Sequence, residues 1–190
     1  MIFLNQEEKM KTIKIFLGVI LLTGILLAQD EVQKLPGYVD FGSFEGLYNE
    51  DNFTEVNVEA PLLSLAAKMS KEKDPELARL LSGIKLVKVY SFGVEKEKAS
   101  GFEDKIKKIT QRLNAEKWER IVRVKEKSET VNVYLKPASE GFSGLTVLTL
   151  DGNEAVFVNV VGEINLEAIS KLGERFDIPE LDYIKKKDKK

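Results

Sequence analysis

Two absences limit the chemistry that this sequence can support. Its 190 residues include no histidine and no cysteine. The commonest general base and metal ligand is therefore missing, as are the thiol nucleophile, the thiolate zinc site and the disulfide. Triads and pairs that depend on histidine or cysteine are excluded. What remains is the chemistry of carboxylates, lysine, serine with lysine, and tyrosine, together with calcium or magnesium bound by oxygen ligands.

A polar hinge near the C-terminal end is the first candidate site. The apolar segment AVFVNVV, residues 155–161, leads into Gly162, Glu163 and Asn165. We interpret this place as the junction of a central strand, covered on both sides, with a helix, which is a common location for ligands in open sheets. A turn glycine followed by a helix cap explains the same residues, and the sequence favours that structural interpretation.

Four aromatic residues mark a second candidate site, in an irregular segment that we call the arm, residues 29–52. They are Tyr38, Phe41, Phe44 and Tyr48. Large apolar groups rarely occur so densely in a free tail, so we expect the arm to pack along the domain. Exposed aromatic side chains are typical interface anchors, and we predict these four as binding residues. Burial of Tyr38, Phe41 and Phe44 in the domain's own core would remove that role.

Two other kinds of motif give weaker evidence for a functional site. The segment EGFSGL, residues 140–145, resembles the G-x-S-x-G nucleophile elbow, but Leu145 replaces the last glycine and the flanks predict loop-to-strand rather than strand-to-helix. Acidic residues cluster at 49–51 and 151–154 without the spacing of a calcium loop. We expect turns or solvated surfaces there, and we predict no catalytic residues, no metal site and no cofactor.

The N-terminus has the pattern of an export signal. Three lysines precede an uncharged, apolar segment, residues 15–28, which is shorter than the ~20 residues that a membrane-spanning helix needs. A basic flank and a short apolar segment are typical of a secretory signal peptide. We predict that residues 1–28 are removed after Ala28, with Met1 or Met10 as the start, and that the protein is periplasmic or extracellular. A retained membrane anchor is the alternative.

The charge distribution argues against nucleic acid as a partner. Residues 29–184 contain 21 basic and 28 acidic side chains, a net charge of −7, whereas a nucleic-acid surface needs clustered lysine and arginine. The basic tail KKKDKK, residues 185–190, is interpreted as a solvated end. Contact of this tail with anionic lipid or another acidic envelope surface is the alternative.

Periodicity predicts one domain, residues 53–184, with alternating and helical segments. We predict strands at 54–60, 84–94, 118–126, 129–136, 145–150 and 155–162, and helices at 61–70, 74–83, 100–116 and 165–176. The 118–126 and 129–136 strands should form one hairpin, and Asp151-Gly152 should turn the last two strands into another.

Caps and apolar stripes define the predicted helices. Asp74 should cap the second helix and Gly83 should end it in a left-handed turn, while Ser100 and Glu103 should form a capping box for the third. We expect Asn165 to cap the last helix. The predicted inward-facing residues are Leu62, Leu65, Ala66 and Met69 in the first helix, Leu77, Leu80 and Leu81 in the second, Phe102, Ile106, Ile109 and Leu113 in the third, and Leu166, Ile169 and Leu172 in the last.

The predicted fold class is α+β. The order of elements favours a single two-layer sandwich with one mostly antiparallel or mixed sheet of about six strands and three to four helices on one face. The polar sides of the first and fourth strands would then face water.

The segment PGYVDFGSFEGLYNEDNFTEVNVEAPLLSLAA, residues 36–67, resembles a secreted bacterial family known as domain of unknown function 4252. The resemblance continues through WERIVRVKEKSETVNVYLK and AVFVNVVGEINLEAISKL. It implies export into the envelope of a Gram-negative bacterium, often of the Bacteroidetes type, and a connection with envelope-stress signalling through neighbouring genes for extracytoplasmic sigma factors. It brings no activity and no catalytic residues. Many relatives look like lipoproteins, but no cysteine follows the apolar segment here, so a lipid anchor does not carry over.

Three functions remain open on this sequence. The first is a non-enzymatic periplasmic or secreted binding module that docks a protein partner or a cell-envelope component and has no stable membrane anchor after cleavage. The second is a carrier of a small apolar ligand or lipid, held between sheet and helices. The third is a small hydrolase with two carboxylates roughly 5–9 Å apart in a cleft.

Overall fold

The computed structural model describes residues 31–126 and 129–164. The chain divides into two compact units, residues 1–34 and 35–190. The first unit is described only at residues 31–34, and every element below belongs to the second. The predicted signal peptide, Asn165 with the last helix, and the basic tail lie outside the described residues.

The described elements alternate between strands and helices along the chain. They are β1 (Phe53–Glu59), α1 (Ala60–Ser70), α2 (Pro75–Gly83), β2 (Ile84–Gly93), α3 (Ala99–Ala115), β3 (Glu119–Lys125), β4 (Thr130–Pro137), β5 (Phe142–Leu150) and β6 (Glu154–Ile164). A short 3-10 turn, Glu50–Asn52, precedes β1. The predicted α+β class is confirmed.

The described strands form one six-stranded sheet in the order β1-β2-β6-β5-β4-β3, and each neighbouring pair is antiparallel. The two predicted hairpins, β3–β4 and β5–β6, are confirmed. In the second hairpin the Asp151 carboxylate accepts hydrogen bonds from the backbone N–H groups of Asn153 and Glu154, both at 2.7 Å. β6 lies inside the sheet, as its apolar sequence predicts, and β1 and β3 are the edges.

One face of the sheet carries the main core. Side chains alternate along a strand, which puts Phe92 of β2, Phe157 of β6 and Leu148 of β5 on the same face. They pack against α3, whose buried residues are Phe102, Ile106, Ile109 and Leu113, as predicted. The arm supplies Val39, Phe41 and Phe44 to the same core. We call this side of the sheet the arm face.

The other face carries α1 and α2 at the β1–β2 end. Leu63 of α1 and Leu80 of α2 pack with Ile84, Val58 and Val87. Val87 lies an odd number of residues from Phe92 in β2, so its side chain points away from the arm face. The helices therefore occupy both faces, where the sequence predicts one.

The observed helix termini agree only in part with the caps predicted from the sequence. Asp74 caps α2 as predicted, since its side chain accepts a hydrogen bond from Leu77 N at 3.1 Å. Gly83 ends α2, but it is not among the positive-φ glycines, so the predicted left-handed turn is wrong. The predicted Ser100–Glu103 capping box is also wrong, because α3 already begins at Ala99 and its N-cap residue, Lys98, makes no side-chain cap hydrogen bond.

Candidate interaction surface

A buried asparagine in the central strand attaches the arm to the sheet. Asn159 is fully buried, and its Oδ1 accepts a hydrogen bond from Val39 N at 2.9 Å. Its Nδ2 donates to Gly37 O at 2.9 Å and to Leu145 O at 3.3 Å. One side chain thus satisfies backbone groups of the arm that have no strand partner. This explains the single polar interruption of the apolar segment AVFVNVV.

The arm crosses β5 with its backbone almost in contact with the strand. A Cβ atom on Gly37 would lie 1.8 Å from Ser143 O and 2.8 Å from Gly144 Cα, and a Cβ on Gly144 would lie 2.5 Å from Gly37 Cα. Two glycines are required at this crossing because any side chain would separate the two backbones.

Basic side chains of α3 hold the next part of the arm. Lys105 Nζ donates to Ser43 O at 2.7 Å, and Arg112 donates to Asp40 O. Burial lowers the pKa of the Lys105 ammonium below its ordinary value, although the nearby Asp40 carboxylate opposes this. The arm from Gly37 to Phe44 is therefore an integral part of the domain.

The four aromatic residues predicted as binding residues do not share one environment. Phe41 and Phe44 are buried, at 4% and 7% exposure, and Phe44 packs on Phe92 with ring centroids 4.5 Å apart. Tyr38 and Tyr48 are half-buried. The condition that would remove the arm's binding role is met by Phe41 and Phe44, which leaves Tyr38 and Tyr48 as the partly exposed rings.

Rings from the arm and two strands surround an open groove of about 390 Å³ beside β1. We call it the aromatic groove. Phe53 lies directly opposite Phe92 in the β1–β2 register, with ring centroids 5.1 Å apart, and 6.0 Å from Tyr90 at an interplanar angle of 18°. Tyr48 closes one end, 4.8 Å from the Phe53 ring.

The three strand residues of this groove, Phe53, Tyr90 and Phe92, were not predicted as site residues from the sequence. Tyr90 and Phe92 are two residues apart in β2, so period-two alternation could have shown that they share a face. The register that puts Phe53 beside them depends on the pairing of β1 with β2 and cannot be read from local spacing.

Charged groups surround the apolar floor of the groove. Glu45 and Glu55 line it, and Lys88 Nζ lies 5.0 Å from the centroid of the Tyr90 ring. Burial opposes the charge on Lys88, but the contact with Tyr90 and the charge of Glu55 outweigh this, so the pKa of Lys88 is raised above its ordinary value. Burial raises the pKa of the Tyr90 phenol, against the effect of Lys88. At neutral pH the Tyr90 phenol therefore stays neutral and the neighbouring Lys88 ammonium stays charged.

The edge beside this groove is the less protected edge of the sheet. Among the described strands β1 has a partner on one side only, and its register with β2 runs from Phe53 to Glu59 without a bulge. The other edge, β3, has a register shift between Arg120 and Val122 and carries four charged side chains in seven residues. Bulges and charges are the features by which edge strands avoid pairing with other chains. β1 lacks the bulge and carries two acids.

Apolar side chains are exposed on α1, which packs against β1 and β2. Leu62, Leu65 and Met69 are 56%, 53% and 75% exposed, while Leu63 and Ala67 are the buried residues of the helix. The predicted inward stripe of α1 is therefore wrong. We call the three exposed residues the apolar stripe. Val56 of β1, at 41% exposure, adds a further apolar group on the same face of the sheet.

Two of the three hinge residues lie inside a strand. The sequence predicts that the strand ends at Gly162 and that Glu163 follows it. β6 instead runs to Ile164, so both residues belong to the strand. Gly162 has φ = 136°, and a Cβ atom there would lie 2.3 Å from Gly83 O, so this glycine is required for packing against the end of α2. Glu163 is exposed. Asn165 lies outside the described residues.

The described residues contain neither a metal-binding cluster nor a membrane-spanning helix. In residues 31–126 and 129–164, no group of three or more acidic, histidine or cysteine side chains could hold a metal ion. Within the same ranges, no helix has the length and apolar character needed to cross a membrane.

Comparison with known proteins gives one match. A family model described as "Domain of unknown function (DUF4252)" matches residues 44–172. No curated protein and no solved structure matches the chain. The matched range contains the aromatic groove from Phe44 onward, all of β1 and the apolar stripe.

Proposed function

The chain belongs to the family described as "Domain of unknown function (DUF4252)", and from that premise we propose that it is an exported, non-enzymatic binding module that docks an extended segment of a partner protein along β1. The observation that carries this proposal is the β1 edge, which has no strand partner on its outer side among the described strands. Adding a strand to a sheet edge is a recurring mode of peptide recognition, in which backbone hydrogen bonds supply affinity and alternate side chains supply specificity.

The surroundings of β1 support specific recognition. Side chains of an added strand would alternate between the two faces of the sheet. On the arm face they would meet the aromatic groove, with Tyr48 and Phe53, and on the other face they would lie near Val56 and α1. We therefore expect a partner segment with apolar or aromatic side chains at alternate positions.

The proposal that the protein is exported is based on the N-terminal signal pattern. The compartment in which it would meet a partner follows from that proposal. A periplasmic or extracellular module would meet protein segments of the cell envelope, which is compatible with the envelope-stress connection that the family resemblance implies. No observation in the described residues favours the carrier function, since the aromatic groove is open to solvent rather than enclosed.

Selection of displayed random peptides against the purified protein tests this function. We expect selected peptides to have alternating apolar residues, to shift the amide resonances of β1, and to protect β1 amides from hydrogen exchange. Tyr48→Ala should weaken their binding about tenfold, because aromatic anchors in interfaces contribute 1–2 kcal/mol or more. Tyr38→Ala is the matched control, since Tyr38 is also a half-buried arm tyrosine but does not line the groove.

Four results would contradict the proposal. Peptides that bind without affecting β1 would move the site elsewhere. Equal loss of binding in the Tyr38 and Tyr48 variants would show that the groove is not the contact. Turnover of a substrate that disappears in Glu55→Gln would make the protein a hydrolase, since Glu45 and Glu55 are the two carboxylates of the groove. Self-association through β1 would make a second copy of the chain the occupant.

A further inference from the structure

We propose that a second cleft, at the β3 end of the sheet, binds a small ligand that carries a phosphate or carboxylate group. The cleft has a volume of about 400 Å³ and lies between α3 and the arm face of β3 and β4. It is at the opposite edge of the sheet from β1 and is independent of the function proposed above.

Strand register brings the cationic residues of the cleft together. Arg123 lies directly opposite Asn132 in the β3–β4 pair, and Lys125 lies opposite Thr130. All four line the cleft, and Lys107 reaches it from α3. Because residues two apart in a strand share a face, Arg123 and Lys125 point to the same side as the two β4 residues.

Arg120 completes the basic lining of the cleft. Its guanidinium lies 5.9 Å from the centroid of the Tyr134 ring, and its NH1 donates to the Tyr134 hydroxyl at 3.5 Å. The ring thus holds one end of the guanidinium while other donors remain available to a ligand.

No ion pair between described residues neutralises the cations of this cleft. Within the described ranges the ion pairs are Lys98–Glu95 and Arg112–Glu116, and neither involves a cleft residue. Four cationic side chains line the cleft against the two carboxylates of Glu103 and Asp104, both of which are exposed. This positive excess stands on a chain with a net charge of −2. Guanidinium and ammonium groups make their strongest hydrogen bonds to carboxylate and phosphate.

The side-chain amide of a mostly buried residue also lines the cleft. Three polar side chains are buried in the described part of the chain, namely Asn132, Thr146 and Asn159. Thr146 donates to Val158 O at 2.7 Å and Asn159 makes three hydrogen bonds. Asn132, at 5% exposure, lines the cleft. Its amide is still reached by solvent, because among the described residues the enclosed side-chain atom without a hydrogen-bond partner is Trp118 Nε1. A ligand in the cleft can therefore hydrogen-bond to the Asn132 amide.

The lining defines the class of ligand. Arginine and lysine would take the anionic oxygens, and the Asn132 amide with the hydroxyls of Thr110 and Thr130 would take neutral polar groups. Phosphate esters and sugar acids both combine these two features. Inorganic phosphate and glucuronate serve as probes that separate the phosphate source from the carboxylate source.

Titration of the isotope-labelled protein with each probe at low ionic strength tests the site. We expect saturable shifts of the Thr110, Arg123 and Asn132 amide resonances with at least one probe. Arg123→Gln should weaken binding about tenfold, the loss of one charge-assisted hydrogen bond, and Asn132→Leu should weaken it while leaving the charge unchanged. Arg79→Gln is the control, because Arg79 is an exposed arginine of α2 that is not in the cleft.

The titrations of the variants can support or overturn the proposed anion site. Saturable shifts that weaken in the Arg123 and Asn132 variants and persist in the Arg79 variant support it. Equal weakening by Arg123→Gln and Arg79→Gln, with no effect of Asn132→Leu, would show general attraction to positive charge and would overturn it. Linear, unsaturated shifts with both probes would overturn it as well. Should Asn132→Leu fail to fold, Lys125→Gln replaces it, with weakened binding again expected.

Discussion

Asn159 shows what a single residue contributes to this molecule and how little of that the sequence reveals. The interruption of an apolar segment by asparagine is visible in the sequence. The two arm residues that hydrogen-bond to Asn159, Gly37 and Val39, are 122 and 120 residues away along the chain. No local sequence pattern connects them with Asn159. The aromatic composition of the arm was therefore enough to predict that it packs along the domain. The residue to which the arm attaches could not be predicted.

Asn159→Leu should lower the free energy of unfolding by about 3 kcal/mol. Leucine has a similar volume but leaves the Val39 N–H and the Gly37 carbonyl without partners, and each unsatisfied buried group costs about 1–3 kcal/mol. Urea unfolding followed by the fluorescence of the single, buried tryptophan, Trp118, measures the change. Asn57→Leu, at an exposed asparagine of β1, is the control and should change stability by less than about 0.5 kcal/mol.

The helices show where apolar periodicity determines orientation and where it does not. α3 has one apolar stripe, so its buried residues could be predicted from the sequence. α1 has apolar residues at nearly every position from Ala60 to Ala67, and two overlapping stripes fit the helical period equally well. Packing against α2 and β2 selects the stripe of Leu63 and Ala67. The sequence alone therefore could not predict which side of α1 is exposed.

Leu63→Ala and Leu65→Ala replace leucines two residues apart in α1, and we expect a large loss of stability from the first and almost none from the second. Leu63 is 6% exposed and Leu65 is 53% exposed. Removing the Leu63 side chain should lower the free energy of unfolding by about 3 kcal/mol through lost burial and a cavity. Leu65→Ala should change it by less than about 0.5 kcal/mol. Equal losses in the two variants, measured by the same urea unfolding, would mean that the apolar stripe is covered in the folded protein.

At the scale of the whole molecule, the class of fold could be predicted but the arrangement could not. Alternation and helical spacing predict six strands and their hairpins, because those features are local. The order β1-β2-β6-β5-β4-β3 joins β2 to a strand that begins about 60 residues after it ends. The aromatic groove and the basic cleft both depend on cross-strand register, so neither could be predicted from spacing alone.

A chain that begins at Phe44, where the family match starts, should be less stable than one that begins at Glu31. The shorter chain lacks Val39 and Phe41, which are 3% and 4% exposed in the core, and leaves the Asn159 amide without its arm partners. We expect a loss of at least about 4 kcal/mol in the free energy of unfolding. Thermal and urea unfolding of the two chains provide the comparison, and equal stability would show that the arm is dispensable.

The crossing of Gly37 over Gly144 also constrains the order in which the protein can fold. The residues that receive Gly37 and Val39 are made more than a hundred positions after them, so this part of the arm cannot dock until the β5–β6 hairpin exists. Contacts of such long range slow the search for the native state. During that interval Phe41 and Phe44 lack their contacts with Phe157, so both rings remain more accessible to a chaperone than in the folded protein.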